Sequence, residues 1–321
     1  MTLLNVTLLD TSIATDNLGD EIIMDAVQQV VSEVLPRANV YRVATHEYMS
    51  WVSRRLLRKS TLAIVGGTNL LSSSMGRFSL WKVMPWDVPS LNRAILLGAG
   101  WRSYMGEMDA YTRWMLKRIL CSNSIHSVRD TYSKKKLASL DKKVCDTGCP
   151  TMWPLIPSHC KAIPHRRADE VVTTLTYYLP NPQRDHAFLN LLKRSYRKVY
   201  FWSQQSEDQA YLDSLKVPGI TSIYPTVGSY NALLDSHPID FVGTRLHGGI
   251  RALQKGRRSL ILAVDNRATE IAQSCNLPVA PREATEEIEA WIFGEAPTSV
   301  RLPFEAIADW KAQFREYATS S

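Results

Sequence analysis

No stretch of this chain is apolar enough to cross a bilayer. Its longest apolar runs, Ala94–Ala99 and Leu260–Val264, fall far short of the ~20 residues a membrane helix requires. The N-terminal Met1–Asp10 lacks the basic region and cleavage site of a secretory signal and reads as a first strand. A cytoplasmic protein is therefore expected. Cysteine is sparse: Cys121, Cys145, Cys149, Cys160 and Cys275 are odd in number and scattered, with no C-x-x-C pair and no histidine partner at zinc-site spacing. Free thiols in a reducing compartment fit that usage. Neither G-x-G-x-x-G nor G-x-x-x-x-G-K-[ST] occurs, so dinucleotide and ATP chemistry lack support. D-x-D is absent too, which leaves a sugar-nucleotide metal site without its usual carboxylates, and no metal is expected. No helix-turn-helix, zinc-finger or RNP pattern is present, so no nucleic-acid partner is expected.

What is present is ordinary for a soluble globular protein. The 321 residues are 45% hydrophobic and 21% charged, enough for about two domains of ~150 residues with sizeable cores. The net charge is +7, in clusters at Arg54-Arg55-Arg58-Lys59, Lys134-Lys135-Lys136, Arg166-Arg167, Lys193-Arg194-Arg197-Lys198 and Lys255-Arg257-Arg258. Such clusters serve as solvated faces, or they meet an anionic membrane or substrate, where each nearby Lys or Arg is worth ~1 kcal/mol.

Short apolar runs alternate with amphipathic stretches. Leu3–Leu9, Thr61–Val65, Ala94–Leu97 and Ile125–Val128 read as strands, and Glu21–Leu35 and Asp130–Leu140 as helices. Pro150, Pro154, Pro157 and Pro164 then interrupt the rhythm, so 151–167 reads as a proline-rich linker. Strands at Glu170–Tyr178, Lys198–Trp202, Ile239–Val242 and Ser259–Val264 follow, with helices at Asp185–Tyr196, Gln209–Leu215 and Gly249–Lys255, and a last helix at Phe304–Thr319. Strand, glycine turn and helix in repetition predict an α/β protein of two parallel-sheet, Rossmann-like domains, 1–150 and 168–300, with a C-terminal helix within 301–321.

Three strand ends share one design. Ile125–Val128 runs into Arg129-Asp130, with Thr131 and Ser133 as capping material. Ile239–Val242 runs into Gly243-Thr244-Arg245-Leu246-His247-Gly248-Gly249, and Leu260–Val264 into Asp265-Asn266-Arg267. Side chains at the carboxyl end of a parallel strand face a ligand crevice. The helix that follows adds unpaired N–H groups and partial positive charge. An arginine there offers a planar fork for carboxylate or phosphate. Taken singly, each arginine is equally at home in a salt bridge, and Gly248-Gly249 marks no more than a tight backbone. The glycine turns Gly66-Gly67 and Gly98-Ala99-Gly100 suit either ligand contact or helix–strand packing. Asp16-Asn17-Leu18-Gly19-Asp20-Glu21 suits either helix capping or hydroxyl binding.

In order along the chain stand Asn17-x-Gly19-Asp20-Glu21, Gly66-Gly67, Leu97-Gly98-Ala99-Gly100, Val128-Arg129-Asp130 and Arg245-Leu246-His247-Gly248. This series, over about residues 5 to 275, resembles the polysaccharide pyruvyltransferase family. The resemblance implies a GT-B-like fold with its two domains facing across a cleft, 1–150 on the acceptor side and 168–300 on the donor side. It also implies phosphoenolpyruvate as co-substrate, without a further cofactor, and a glycan or lipid-linked sugar as acceptor. By position, Arg129, Arg245 and His247 match its catalytic residues. The donor site is expected to hold Arg129, Arg245, Leu246, His247, Gly248 and Arg267, and the acceptor or cleft side Asn17, Asp20, Glu21, Gly66, Gly67, Gly100 and Asp130. The chain departs from the family pattern at Gly148-Cys149-Pro150, where Asp-Pro is common, at Gly66-Gly67-Thr68 in place of three glycines, and at Asp265-Asn266-Arg267 in place of Asp-x-Lys.

The chemistry asks for these residue types. A small, highly charged donor needs arginines and a helix terminus, and protonating its methylene carbon needs an acid such as histidine. Two other readings remain open: a GT-B glycosyltransferase using a nucleotide sugar, for which an E-x7-E motif is missing near Gly243–Lys255, and a non-catalytic scaffold at a membrane surface. A lipid-linked acceptor would bring peripheral contact with an anionic membrane.

Overall fold

The computed structural model describes residues 4–264, 271–272 and 274–319. The third strand-end site, with Arg267, lies outside the described residues. The chain forms two compact units, Met1–Thr15 with Ile23–Pro150 and Pro303–Ser321, and Asp16–Ile22 with Thr151–Leu302. No helix of the described residues is long and apolar enough to cross a membrane.

The first unit holds β1 (Asn5–Asp10), most of α1 (Leu18–Val34), β2 (Asn39–Ala44), α2 (Trp51–Lys59), β3 (Leu62–Gly66), α3 (Val88–Leu91), β4 (Ala94–Leu97), α4 (Ala110–Ile119), β5 (Ile125–Val128), α5 (Thr131–Ala138) and β6 (Lys143–Asp146). The strands pair in parallel in the order β2-β1-β3-β4, with β5-β6 as a second parallel pair. A bridge at Ala99–Val128 links the two sets. Leu62–Gly66 is buried along its whole length, as a central parallel strand covered on both faces must be. The outer β2 is exposed or partly exposed at all but one position.

The C-terminal segment belongs to this unit rather than standing apart after the second domain. Trp310, on the helix Phe304–Ala312, is fully buried and donates from Nε1 to the Leu96 carbonyl at 3.1 Å. Gln313 pairs with both backbone groups of Ile125.

The second unit carries α6 (Pro157–Ala162), β7 (Glu170–Thr173), α7 (Pro182–Ser195), β8 (Lys198–Phe201), α8 (Ser206–Ser214), β9 (Ile220–Ser222), α9 (Val227–Ser236), β10 (Asp240–Gly243), α10 (Leu246–Gln254), β11 (Ser259–Ala263), β12 (Val279–Pro281) and the helix Thr285–Phe293. Its parallel sheet runs β12-β11-β10-β7-β8-β9. Numbered within the unit this is the dinucleotide-fold order 3-2-1-4-5-6, with the reversal of winding between β7 and β10.

Two sequence expectations change here. Segment 151–167 is no open linker: Met152, Leu155, Cys160 and Ile163 are buried. Pro157 opens α6 at its first turn, where a missing N–H costs nothing. Residues 16–22 leave the first domain for the second unit, held by hydrogen bonds to Gln204 described next.

Candidate active site

In the second unit the switch point brings the carboxyl ends of β7, β8 and β10 together. The Arg245 amide donates to Thr174 Oγ1 at 3.1 Å, and the Thr176 and Thr244 hydroxyls pair at 2.8 Å. Arg245 is only 4% exposed. Its Nε donates to the Leu175 carbonyl and to Asp208 Oδ2, both at 3.1 Å, its Nη1 to Gln205 Oε1 at 2.7 Å, and its Nη2 to Asp208 Oδ1. The strand-end arginine is therefore half of a buried ion pair, which the sequence did not indicate. Asp208 is fully buried and also accepts from the backbone amides of Tyr177, Gln204 and Gln205 at 3.1–3.3 Å. One carboxylate thus ties three strand ends to a single guanidinium. Among the described residues, two of the five guanidinium N–H groups have no hydrogen-bond partner, and Tyr178 lies against its face at 5.0 Å.

His247 sits in the first turn of α10, which Arg245 caps, and is partly exposed, as is Leu246. That turn is fixed from below. The Gly248 carbonyl accepts from the Tyr230 hydroxyl at 2.8 Å, and Tyr230 stacks on Trp202 at 4.1 Å between ring centroids. Burial raises the Tyr230 pKa well above its ordinary value, so the hydroxyl stays a donor. A Cβ on Gly249 would overlap Ile261 of β11. Gly249 is thus required for helix–sheet packing, whereas a Cβ on Gly248 would meet Phe241 at 3.3 Å.

Asn17 joins this neighbourhood, not the first unit. Its Oδ1 accepts from Gln204 Nε2 at 2.8 Å and from the Gly19 amide at 3.0 Å, while the Leu18 amide donates to the Gln204 carbonyl at 3.0 Å. A Cβ on Gly19 would come within 2.7 Å of Gln204 Nε2. Asp20 is buried beside this turn and Glu21 is exposed. Around the same strand ends, Thr173 Oγ1, Trp202 Nε1 and Gln204 Oε1 are buried without a hydrogen-bond partner among the described residues. Buried polar atoms are nearly always satisfied, so such a group of exceptions marks a place where water or ligand completes the bonding.

The first unit gathers the other predicted residues. Arg129 leaves the end of β5 with its side chain 11% exposed and its Nε 3.4 Å from Asp130 Oδ2. A Cβ on Gly100 would overlap the Arg129 side chain: the missing side chain is the space the arginine occupies. Asp130 caps α5 by accepting from the Ser133 amide at 2.7 Å. The expected cappers are used elsewhere. The Ser133 hydroxyl accepts from the Trp101 amide at 2.8 Å, and Thr131 donates to Asp146 at 3.0 Å. Burial raises the pKa of Asp146, against the opposing bonds from Gly148 and Thr131. Gly66 and Gly67 serve packing: a Cβ on Gly66 would meet Met24 of α1, and one on Gly67 the Gly98 carbonyl.

Asp208, Gln204, Gln205 and Trp202 were not singled out from sequence. Asp208 stands three residues after Gln205 in a helix-capping pattern, which alone gives no hint of an ion pair.

Solved structures place the fold among GT-B-like enzymes of nucleotide sugars. The S. aureus MnaA–UDP co-structure matches with a TM-score of 0.54 and 12% identity over 100% of this chain and 98% of that one. The Methanocaldococcus jannaschii UDP-GlcNAc 2-epimerase in complex with UDP-GlcNAc and UDP gives 0.52 and 12%, covering 98% of each chain. A UDP-N-acetylglucosamine 2-epimerase from Listeria monocytogenes gives 0.53 and 11% over 97% of this chain and 91% of that one. At such identities the likeness is one of fold. The chain belongs to the polysaccharide pyruvyl transferase family, whose model matches residues 17–235. That match begins at Asn17 and includes Arg129, and it ends before Arg245. No curated protein matches the chain.

Proposed function

We propose that the protein transfers the enolpyruvyl group of phosphoenolpyruvate to two hydroxyls of a sugar, on a polysaccharide or its lipid-linked precursor, as a pyruvate ketal. The observation that carries this reading is the Arg245-Leu246-His247-Gly248 turn at the switch point of the second unit, in a chain of a transferase family. The two unassigned N–H groups of Arg245 and the first-turn amides of α10 would hold the donor's phosphate and carboxylate. Arg129 is proposed as a further donor-binding cation on its match to the family motif Val128-Arg129-Asp130 alone.

His247, as imidazolium, gives a proton to the methylene carbon, which becomes methyl while cationic character builds on the neighbouring carbon. One sugar hydroxyl adds there, the C–O bond to phosphate breaks, and a second hydroxyl closes the ketal. Of the two hydroxyl protons released, one restores the imidazolium and the other leaves on phosphate, so each turnover yields one hydrogen phosphate. Trp202, Gln204 and Thr173 supply unsatisfied polar atoms for bound water or sugar hydroxyls.

The test is incubation of candidate glycans with phosphoenolpyruvate, followed by mass spectrometry and phosphate assay. A gain of pyruvate minus one water, with equimolar phosphate released only when acceptor is present, is expected. Nucleotide-sugar transfer is the second reading, favoured by the UDP named for two of the structural neighbours. It would add a whole sugar instead and would need no phosphoenolpyruvate.

A further inference from the structure

We propose that the surface formed by α2 and the adjoining segment Lys82–Asp87 docks the protein on a bilayer containing anionic phospholipid. On α2, positions 51, 52, 55, 58 and 59 recur at helical spacing, and all five side chains are exposed, while Leu57 is buried on the opposite side. That outer face consists of Trp51, Val52, Arg55, Arg58 and Lys59. It carries no acidic residue, and among the described residues none of its cations has a carboxylate partner. The Arg55 guanidinium lies 5.0 Å over the Trp51 ring.

Segment Lys82–Asp87 extends the face. The Lys82 amide donates to the Thr45 carbonyl at 2.9 Å and the Lys82 ammonium stands 6.0 Å over the Tyr48 ring. Asp87, fully buried, accepts from Arg54 Nε at 2.6 Å, which pins Trp86 beside α2. Tyr48, Trp51 and Trp86 are 67%, 64% and 62% exposed. Trp51 and Tyr48 each lie under a cation and Trp86 precedes the residue paired to Arg54; exposed aromatics of this size are costly to leave in water, and soluble surfaces seldom group them. Tyrosine and tryptophan settle at the headgroup level of a membrane. Lys and Arg draw the surface to anionic lipid. The patch starts just after the carboxyl end of β2, on the ligand-facing end of the first unit's sheet. A sugar carried on a membrane lipid would be presented there.

Docking does not depend on pyruvyl transfer, so it is measured without donor. The purified protein is floated with vesicles of phosphatidylcholine alone and of phosphatidylcholine with phosphatidylglycerol. Binding to the anionic vesicles only is expected, falling steeply as salt shortens the screening length from ~10 Å at 0.1 M to ~3 Å at 1 M. Arg55→Glu/Arg58→Glu/Lys59→Glu should weaken it by more than about 100-fold, at about fivefold for each charge removed. Trp51→Ser/Trp86→Ser should also weaken it, with the charge unchanged. Both variants should keep the wild-type circular dichroism and the wild-type rate on a water-soluble acceptor. Equal flotation with neutral vesicles, or undiminished binding of the charge-reversed variant, overturns the proposal. So does a solution dimer that Trp51→Ser/Trp86→Ser dissolves, because the face would then be covered by a second copy of the chain.

Discussion

Removing the Arg245 guanidinium would strand Asp208, a fully buried carboxylate that has no other cation within ion-pair distance among the described residues. Leaving one partner of a buried pair uncompensated costs about 3–5 kcal/mol. Arg245→Ala should therefore lower the urea midpoint far more than Arg129→Ala, whose partner Asp130 is 30% exposed. Arg245→Met/Asp208→Leu should recover most of the loss, because apolar replacement of a buried pair is often neutral. Equal midpoints for the two alanine variants would contradict the buried-pair assignment. Gly100 and Gly67 make a second contrast. In Gly100→Ala the methyl displaces the flexible Arg129 side chain, so the fold should survive while calorimetry shows phosphoenolpyruvate bound about 2–3 kcal/mol more weakly, the cost of one charge-assisted contact. In Gly67→Ala the methyl meets backbone, and overpacking of about 1–3 kcal/mol should appear as lost stability instead. For His247→Gln, kcat should fall by about 10²–10⁴ while donor affinity is largely kept. Near-normal turnover would remove the histidine from the chemistry.

Among the elements, β5 carries a pH-sensitive histidine inside the first unit. Burial lowers the His126 pKa from 6.5 to about 4, with nearby Lys142 adding to it and the bond to the Cys121 carbonyl opposing. Nδ1 accepts from the Leu96 amide at 3.3 Å and Nε2 is 2.8 Å from the Cys121 carbonyl, so the neutral ring fills both contacts. Because the folded value is depressed, the unfolded chain binds the proton more tightly between about pH 4 and 6.5. Stability from this group is complete above pH 6.5 and drains as pH falls toward 4, by about 3 kcal/mol at 1.36 kcal/mol per unit. Unfolding at pH 7 and pH 5 should show a wild-type loss that His126→Gln lacks. A His126 titration near its ordinary value, by nuclear magnetic resonance, would count against this. The terminal helix offers a parallel case. Trp310→Ala deletes the buried ring that bonds to Leu96, so a cost of about 3–5 kcal/mol is expected. A loss below about 1 kcal/mol would mean that the helix is not part of the unit's core.

For the molecule as a whole, the sequence revealed what is local and hid what is distant. Central strands such as β3 and β11 are buried on both faces, so each reads as an unbroken apolar run. The outer strands β2, β6, β9 and β12 carry exposed or partly exposed positions and lack that signature, and none was expected from sequence. Arg129, Arg245 and His247 could be placed at strand ends from sequence because strand end and helix start are neighbours in the chain. The Arg245–Asp208 pair spans 37 residues and the Asn17–Gln204 bond 187, with no motif joining either. The same distance effect moved residues 16–22 to the second unit. The central claim, that phosphoenolpyruvate is the donor and that its methylene carbon is protonated, is tested most directly by running the reaction in heavy water. The account predicts an acceptor that gains pyruvate minus water, with one deuterium in the new ketal methyl and one phosphate released per transfer. An acceptor that gains nothing from phosphoenolpyruvate, or gains a whole sugar from a nucleotide sugar, would contradict it.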